Sequence, residues 1–205
     1  MIRILIALAL LATSAMAQEV VGKGTVRTGE KVELLSDGTW RSVGAVPESG
    51  DCTRINDVLS FCAPETRWAP ESTLGTDFIR SYQFSDRLYA GIIFEALGEA
   101  DGIDAAVMRE IVVTNVAAVT NVTEDEVPVF DMKDVQVDGI PAETIVYGGN
   151  FSGLPFIYFN TIVTSERHTI QLLTWSVDRE PTSQHEERHA EFLDNVRLAL
   201  PGRSE

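Results

Sequence analysis

The rhythm of apolar and polar positions changes several times along the chain, and each change marks an element. Thr76 to Phe84 alternates with period two, placing Phe78, Arg80, Tyr82 and Phe84 on one face, as in a half-buried strand. Ser85-Asp86 turns it into Arg87 to Leu97, where Leu88, Ala90, Ile92 and Phe94 share a face. A helical rhythm then follows Asp101 and Asp104, either of which can cap it. Ile103, Val107, Ile111 and Val119, with Met108, Val112 and Val116, form its apolar stripe up to Thr120. Glu124-Asp125-Glu126 begins an acidic connection. Asp138-Gly139, between Asp134 to Val137 and Ile140 to Tyr147, predicts a hairpin. Pro141 weakens the start of its second strand. Gly148-Gly149 and Gly153 break the pattern. Pro155 to Thr164 and Thr169 to Val177 are β-branched and apolar on both faces, which places them centrally in a sheet. Pro181-Thr182-Ser183 opens a last helix, with Phe192, Leu193 and Val196 on its apolar side and Pro201-Gly202 as its stop.

Strands, helix, strands, helix is the order of an α+β fold, a mostly antiparallel sheet flanked by helices. Residues 51–200 carry it, and 201–205 form a tail. Residues 18–50 form a smaller β-hairpin module and linker. Lys31 to Leu35 alternates, Asp37-Gly38 turns, and Thr39-Trp40-Arg41 returns. A lone hairpin is marginal in water, so it must dock, with Trp40 as its expected anchor. Residues 1–17 read as a signal peptide: Arg3, an apolar Ile4 to Leu11, and Ala15-Met16-Ala17 before Gln18. The expectation is a periplasmic or secreted protein, cleaved between Ala17 and Gln18. No later stretch is long and apolar enough to predict an integral membrane segment.

Charge narrows the partners. The 205 residues carry a formal net charge of −15, which repels nucleic-acid phosphates and anionic lipid surfaces. Cys52 and Cys62 are the only cysteines. In an exported chain an even pair predicts a disulfide. Thr53 to Ile55 and Leu59 to Phe61 can pair around Asn56-Asp57-Val58, which sets Cys52 opposite Cys62. In the chain-entropy picture, closing so short a loop stabilises by about 2–3 kcal/mol.

The sharpest catalytic-looking string is His185-Glu186-Glu187-Arg188-His189, an H-E-x-x-H pattern. On a helix its histidines share a face and can reach one Zn²⁺, with Glu186 as base. Glu187 and Arg188 put charges where zinc-protease helices carry uncharged residues. No H-x-x-G-x-x-H continuation follows, and Glu191 and Asp194 are too near on the same helix for the usual third ligand. His168 is the one other histidine that can complete a three-His site. The leading expectation is therefore no metal and no cofactor, with zinc on His185 and His189 as the alternative. Gly149-Asn150-Phe151-Ser152-Gly153 departs from G-x-S-x-G by one position and reads as a loop. The aromatics between Phe151 and Trp175 read as sheet core, or else as the lining of a pocket for a small apolar ligand.

Residues 52–200 resemble the PsbP-like superfamily. The resemblance rests on Leu59-Ser60-Phe61 leading to Pro64 and Trp68, on Val137-Asp138-Gly139-Ile140-Pro141-Ala142, and on Phe156 to Thr164, Ile170 to Trp175 and the helix holding Phe192 and Val196. It implies an α/β/α sandwich used mainly for docking, without a shared active site. Some bacterial relatives are cytoplasmic chaperones, a role at odds with a signal peptide. Val32 to Trp40 is also similar to a short V-x-L-x-x-D-G-T-W module of exported bacterial proteins. The expected function is that of a non-enzymatic exported protein that binds an envelope protein partner. A zinc-dependent hydrolase and a carrier of a small apolar ligand are the alternatives.

Overall fold

The structure, a computed structural model, describes residues 20–25, 31–36, 38, 40–42, 52–63, 67–72, 74 and 77–200. The expected signal peptide, its cleavage point, the linker, Pro64 and the tail lie outside these residues, as does the side chain of Trp40. The first module is a three-stranded antiparallel sheet of β1 (Val20–Thr25), β2 (Lys31–Leu35) and β3 (Trp40–Ser42). It contains the expected hairpin with one further strand added by β1.

The remainder is the expected α+β sandwich. Its strands are β4 (Thr53–Arg54), β5 (Leu59–Phe61), β6 (Ala69–Pro70), β7 (Arg80–Ser85) and β8 (Leu88–Glu95). After helix α1 (Ala105–Thr120) come β9 (Val129–Val137), β10 (Ile140–Phe151), β11 (Leu154–Thr164) and β12 (Thr169–Ser176). Helix α2 (Ser183–Asp194) and β13 (Val196–Leu198) close the chain. The large sheet runs β6-β7-β8-β12-β11-β10-β9, so β11 and β12 are central as their composition requires. A second small sheet is ordered β13-β5-β4. Two tight turns fix the register of the long strands. Asp138-Gly139 (φ 50° and 75°) sets Val137 opposite Ile140, and Ser152-Gly153 (φ 55° and 88°) sets Phe151 opposite Leu154. Both central residues are left-handed, the turn whose twist suits a hairpin.

Each sheet face has its own cover. One face buries Met108, Val112, Val116 and Ala117 of α1 against Ile145, Tyr147 and Ile162. Asp104 caps this helix by accepting from the Val107 amide at 2.8 Å. Met108, Val112 and Val116 of the expected stripe are buried, whereas Ile111 and Val119 are 38% and 67% exposed. Beyond α1 the same face is covered by aromatics: Trp175 stacks on Phe78 at 5.2 Å and on Tyr89 at 6.1 Å. The Phe78 ring lies over Gly91, where a Cβ would sit 2.4 Å from it. Phe78 therefore leaves the face it was expected to share with Tyr82, because the regular strand begins only at Arg80.

The opposite face carries α2 and the small β13-β5-β4 sheet. Phe192 is fully buried, and its ring lies 5.1 Å from both Phe61 and Trp68 and 6.1 Å from Tyr82. Cys52 and Cys62 form the expected disulfide. Two further expectations are corrected. Val196 is not helical: α2 ends at Asp194, and Val196 pairs with Phe61 in β13. Gly148-Gly149 does not interrupt β10, which runs through both glycines to Phe151. Pro141 breaks no bond to β9, but β10 starts weakly on its β11 side, as expected. The proline faces Gln136 at a non-bonded pair, and pairing with β11 starts only at Glu143. Among the described residues no helix is long and apolar enough to cross a membrane.

Phe192→Ala should destabilise the fold by about 3–5 kcal/mol in urea titration, the range for a fully buried phenylalanine. Reducing the disulfide should cost about 2–3 kcal/mol in the same assay.

Candidate functional site

A concavity with a largely apolar lining lies where α1 ends, β9 begins and the β10–β11 hairpin turns. Asn121, left-handed at φ 58°, terminates α1 and donates its amide to the Ala117 carbonyl. Thr123 to Glu126 then form a tight turn, with the Thr123 amide donating to the Glu126 carboxylate at 2.8 Å. That bond and the Thr123 hydroxyl hold the Glu126 pKa below the usual carboxylate value. Val127 is buried beneath the turn, and the Gly148 amide donates to the Pro128 carbonyl at 2.9 Å.

Two glycines shape the floor. A Cβ on Gly148 would sit 3.1 Å from the Phe130 ring, and one on Gly149 would sit 2.9 Å from the Phe151 ring. The result is a cleft of about 390 Å³ lined by Val116, Val127, Pro128, Phe130 and Phe156, with Glu126, Asp178 and Arg179 also in its lining. Exposed apolar side chains ring it or stand nearby: Val119 (67%), Val122 (41%), Phe130 (41%) and Leu154 (54%). It has the size of a small-ligand or side-chain pocket.

The sequence offered Phe156 among the aromatics of the alternative apolar-ligand pocket and Val116 in the helical stripe, but not the cleft that they share. Its lining comes from segments far apart in the chain, and only the fold joins them. One signal was present: Val127-Pro128-Val129-Phe130 is apolar although it follows three acids, which is unusual for a connection.

The H-E-x-x-H string lies elsewhere, on α2. His189 is fully buried, with Nε2 at 2.7 Å from the Thr161 hydroxyl and Nδ1 at 2.9 Å from the Thr174 hydroxyl. Thr161 in turn meets Thr144 at 2.6 Å, so the ring is one link in a buried polar chain. His185 places Nε2 3.1 Å from the Ser176 hydroxyl, and its Nδ1 accepts from the Thr182 amide at 3.2 Å. Both nitrogens of both rings are thus engaged, and a metal would have to displace these bonds. Glu186 is exposed and pairs with Lys133. His168 packs on Phe94 at the β11–β12 turn. Ser176, which meets His185, lies seven residues along β12 from Thr169, about 23 Å at a strand's usual rise. The three histidines are not brought together, and among the described residues no three metal-ligating side chains form a cluster. A pocket of about 230 Å³ beside His185 is bordered by Arg87 and Arg188.

Burial lowers the pKa of all three histidines. For His189 it falls to about 3, chiefly through loss of solvation and secondarily through Lys133. Its folded pKa lies below the ordinary 6.5, so the unfolded chain binds the extra proton first. The stability this ring contributes is complete above pH 6.5 and is lost as pH falls towards 3. At its steepest the loss is about 1.4 kcal/mol per pH unit. A His189→Gln variant should be less stable than the parent at pH 7 but lose stability more slowly between pH 6 and 4, as read by urea titration at each pH.

No protein-family profile matches the chain, and no curated protein matches it. Several solved structures do. One is cyanobacterial PsbP (CyanoP) from Synechocystis, with 8% identity, a TM-score of 0.50 and coverage of 77% of this chain and 99% of that one. Another is LpqN of Mycobacterium tuberculosis, described as involved in cell envelope biogenesis, with 14% identity, a TM-score of 0.46 and coverage of 75% and 87%. A third is a Bacteroides thetaiotaomicron protein with 10% identity and a TM-score of 0.44. The match covers 72% of this chain and only 47% of that one. At such identities the likeness concerns the fold alone, and the fold is PsbP-like.

Proposed function

We propose that this is an exported, non-enzymatic docking protein whose cleft receives an apolar side chain of an envelope protein partner. The observation that carries the reading is that exposed Val122 and Phe130 line the cleft, while exposed Val119 and Leu154 adjoin its lining residues Thr120 and Pro155 in the chain. Exposed apolar groups scattered singly need no explanation, whereas a set gathered around a concavity marks an interaction site. The disulfide fits an exported protein.

The cleft also supports a second reading, a carrier for a small apolar ligand, because its volume of about 390 Å³ falls in the range of small-molecule pockets. Native mass spectrometry separates the two: a retained small molecule favours the carrier, and a clean apo mass favours docking.

Affinity capture from envelope extracts at native expression should retain a specific companion. Leu154→Asp and Val122→Asp should each abolish that capture while changing stability by less than about 0.5 kcal/mol, since both side chains are exposed. No companion, or one held equally well by both variants, contradicts the reading.

A further inference from the structure

Strand β9 is the last strand of the seven-stranded sheet, and among the described residues no strand pairs with its outer side. The Asp138-Gly139 turn makes Val137–Ile140 a bonded pair, so Val135, Lys133 and Asp131 also bond inward to β10. The backbone groups of Met132, Asp134 and Gln136 therefore point outward. The Met132 amide is held by the Asp131 carboxylate at 2.9 Å, a bond that a neighbouring strand can replace. Such an edge is a ready template for pairing.

Charge selects what can pair. Glu124, Asp125, Glu126, Asp131 and Asp134 lie along or beside this edge, all exposed, while Asp138 at its far end accepts from the Leu198 amide and lies 4.0 Å from Arg197. The one cation of β9, Lys133, is paired with Glu186 and lies 4.0 Å from Asp131. A second copy would bring another acidic edge and another net charge of −15 against this one, so self-pairing is opposed by repulsion.

We infer that the β9 edge accepts an extended, basic segment of a partner protein as an added strand. The register specifies that segment further. Asp131 and Asp134 are three residues apart and so lie on opposite faces of the sheet. A segment that meets both must carry cations three positions apart, one on each face. This deepens the docking reading and rests on it, placing the main-chain contact beside the apolar cleft that begins at Phe130.

The test uses synthetic Val/Thr peptides with two lysines. The peptide with lysines at i and i+3 should bind at low salt. The same composition with lysines at i and i+2, and an N-methylated i, i+3 peptide that cannot add a strand, should bind about tenfold more weakly. Met132→Pro removes an outward amide without touching the β10 ladder and should weaken binding similarly, with its fold checked by circular dichroism. Asp131→Asn/Asp134→Asn should abolish the distinction between the two lysine spacings. Equal binding of all three peptides, undiminished binding to Met132→Pro, or a peptide-free dimer formed through this edge would overturn the inference. If envelope capture finds a companion that Met132→Pro retains, the edge fails and the docking reading stands. If the i, i+3 peptide binds as expected but no companion is captured, the edge stands and the docking reading fails.

Discussion

The aromatic junction around Phe192 is the contact on which the rest of the sandwich depends. Its ring meets Phe61 from the disulfide-closed hairpin, Trp68 from the connection to the large sheet, and Tyr82 from β7. Phe61 and Tyr82 also stand 4.3 Å apart. Four segments widely separated in sequence thus share one buried point, and each such pair adds about 0.5–1.5 kcal/mol beyond its burial. With α2 anchored there, β13 follows directly and pairs with β5, closing the small sheet over the same face. The disulfide then holds β4 and β5 in the register that presents Phe61.

This junction also decides which surfaces stay open. One face is sealed by α2 and the small sheet. On the other, α1 covers β10 and β11, and the stacked rings around Trp175 cover β12 and β8. Neither helix caps the outer side of β9. The cleft and the free edge meet at Phe130, beside the bulge between Val129 and Asp131. Native edges are commonly defended by charge and irregularity. This one has both, in Asp131, Lys133, Asp134 and the bulge, and the defence is selective because nearly all of the charge has one sign.

Much of the fold was legible in the chain. Asp138-Gly139 marked the β9–β10 hairpin because few dipeptides tolerate two left-handed positions. The double-faced apolarity of β11 and β12 placed them centrally because only an interior strand is buried on both sides. Asp104, one of two candidate caps with Asp101, and the pairing of the cysteines could be read from local chemistry. The errors have equally physical causes. Val196 fits a helical stripe and a strand equally well, and only its partner Phe61 decides between them. Gly148 and Gly149 looked like breakers, whereas they are close-approach points under Phe130 and Phe151. The threonine partners of His189 were equally out of reach, because its helical spacing from His185 does not show that both its ring nitrogens meet the sheet. The cleft was not legible because its walls meet only after the sheet forms.

The central claim is that β9 has a free outer side which a partner occupies. Residue-resolved amide hydrogen exchange tests it most directly. In the isolated protein the inward amides of Lys133 and Val135 should be protected, while those of Asp134 and Gln136 exchange freely. In complex with a captured partner the outward pair should become protected as well. Protection of Asp134 and Gln136 in the isolated protein, or free exchange at both in the complex, would contradict the account.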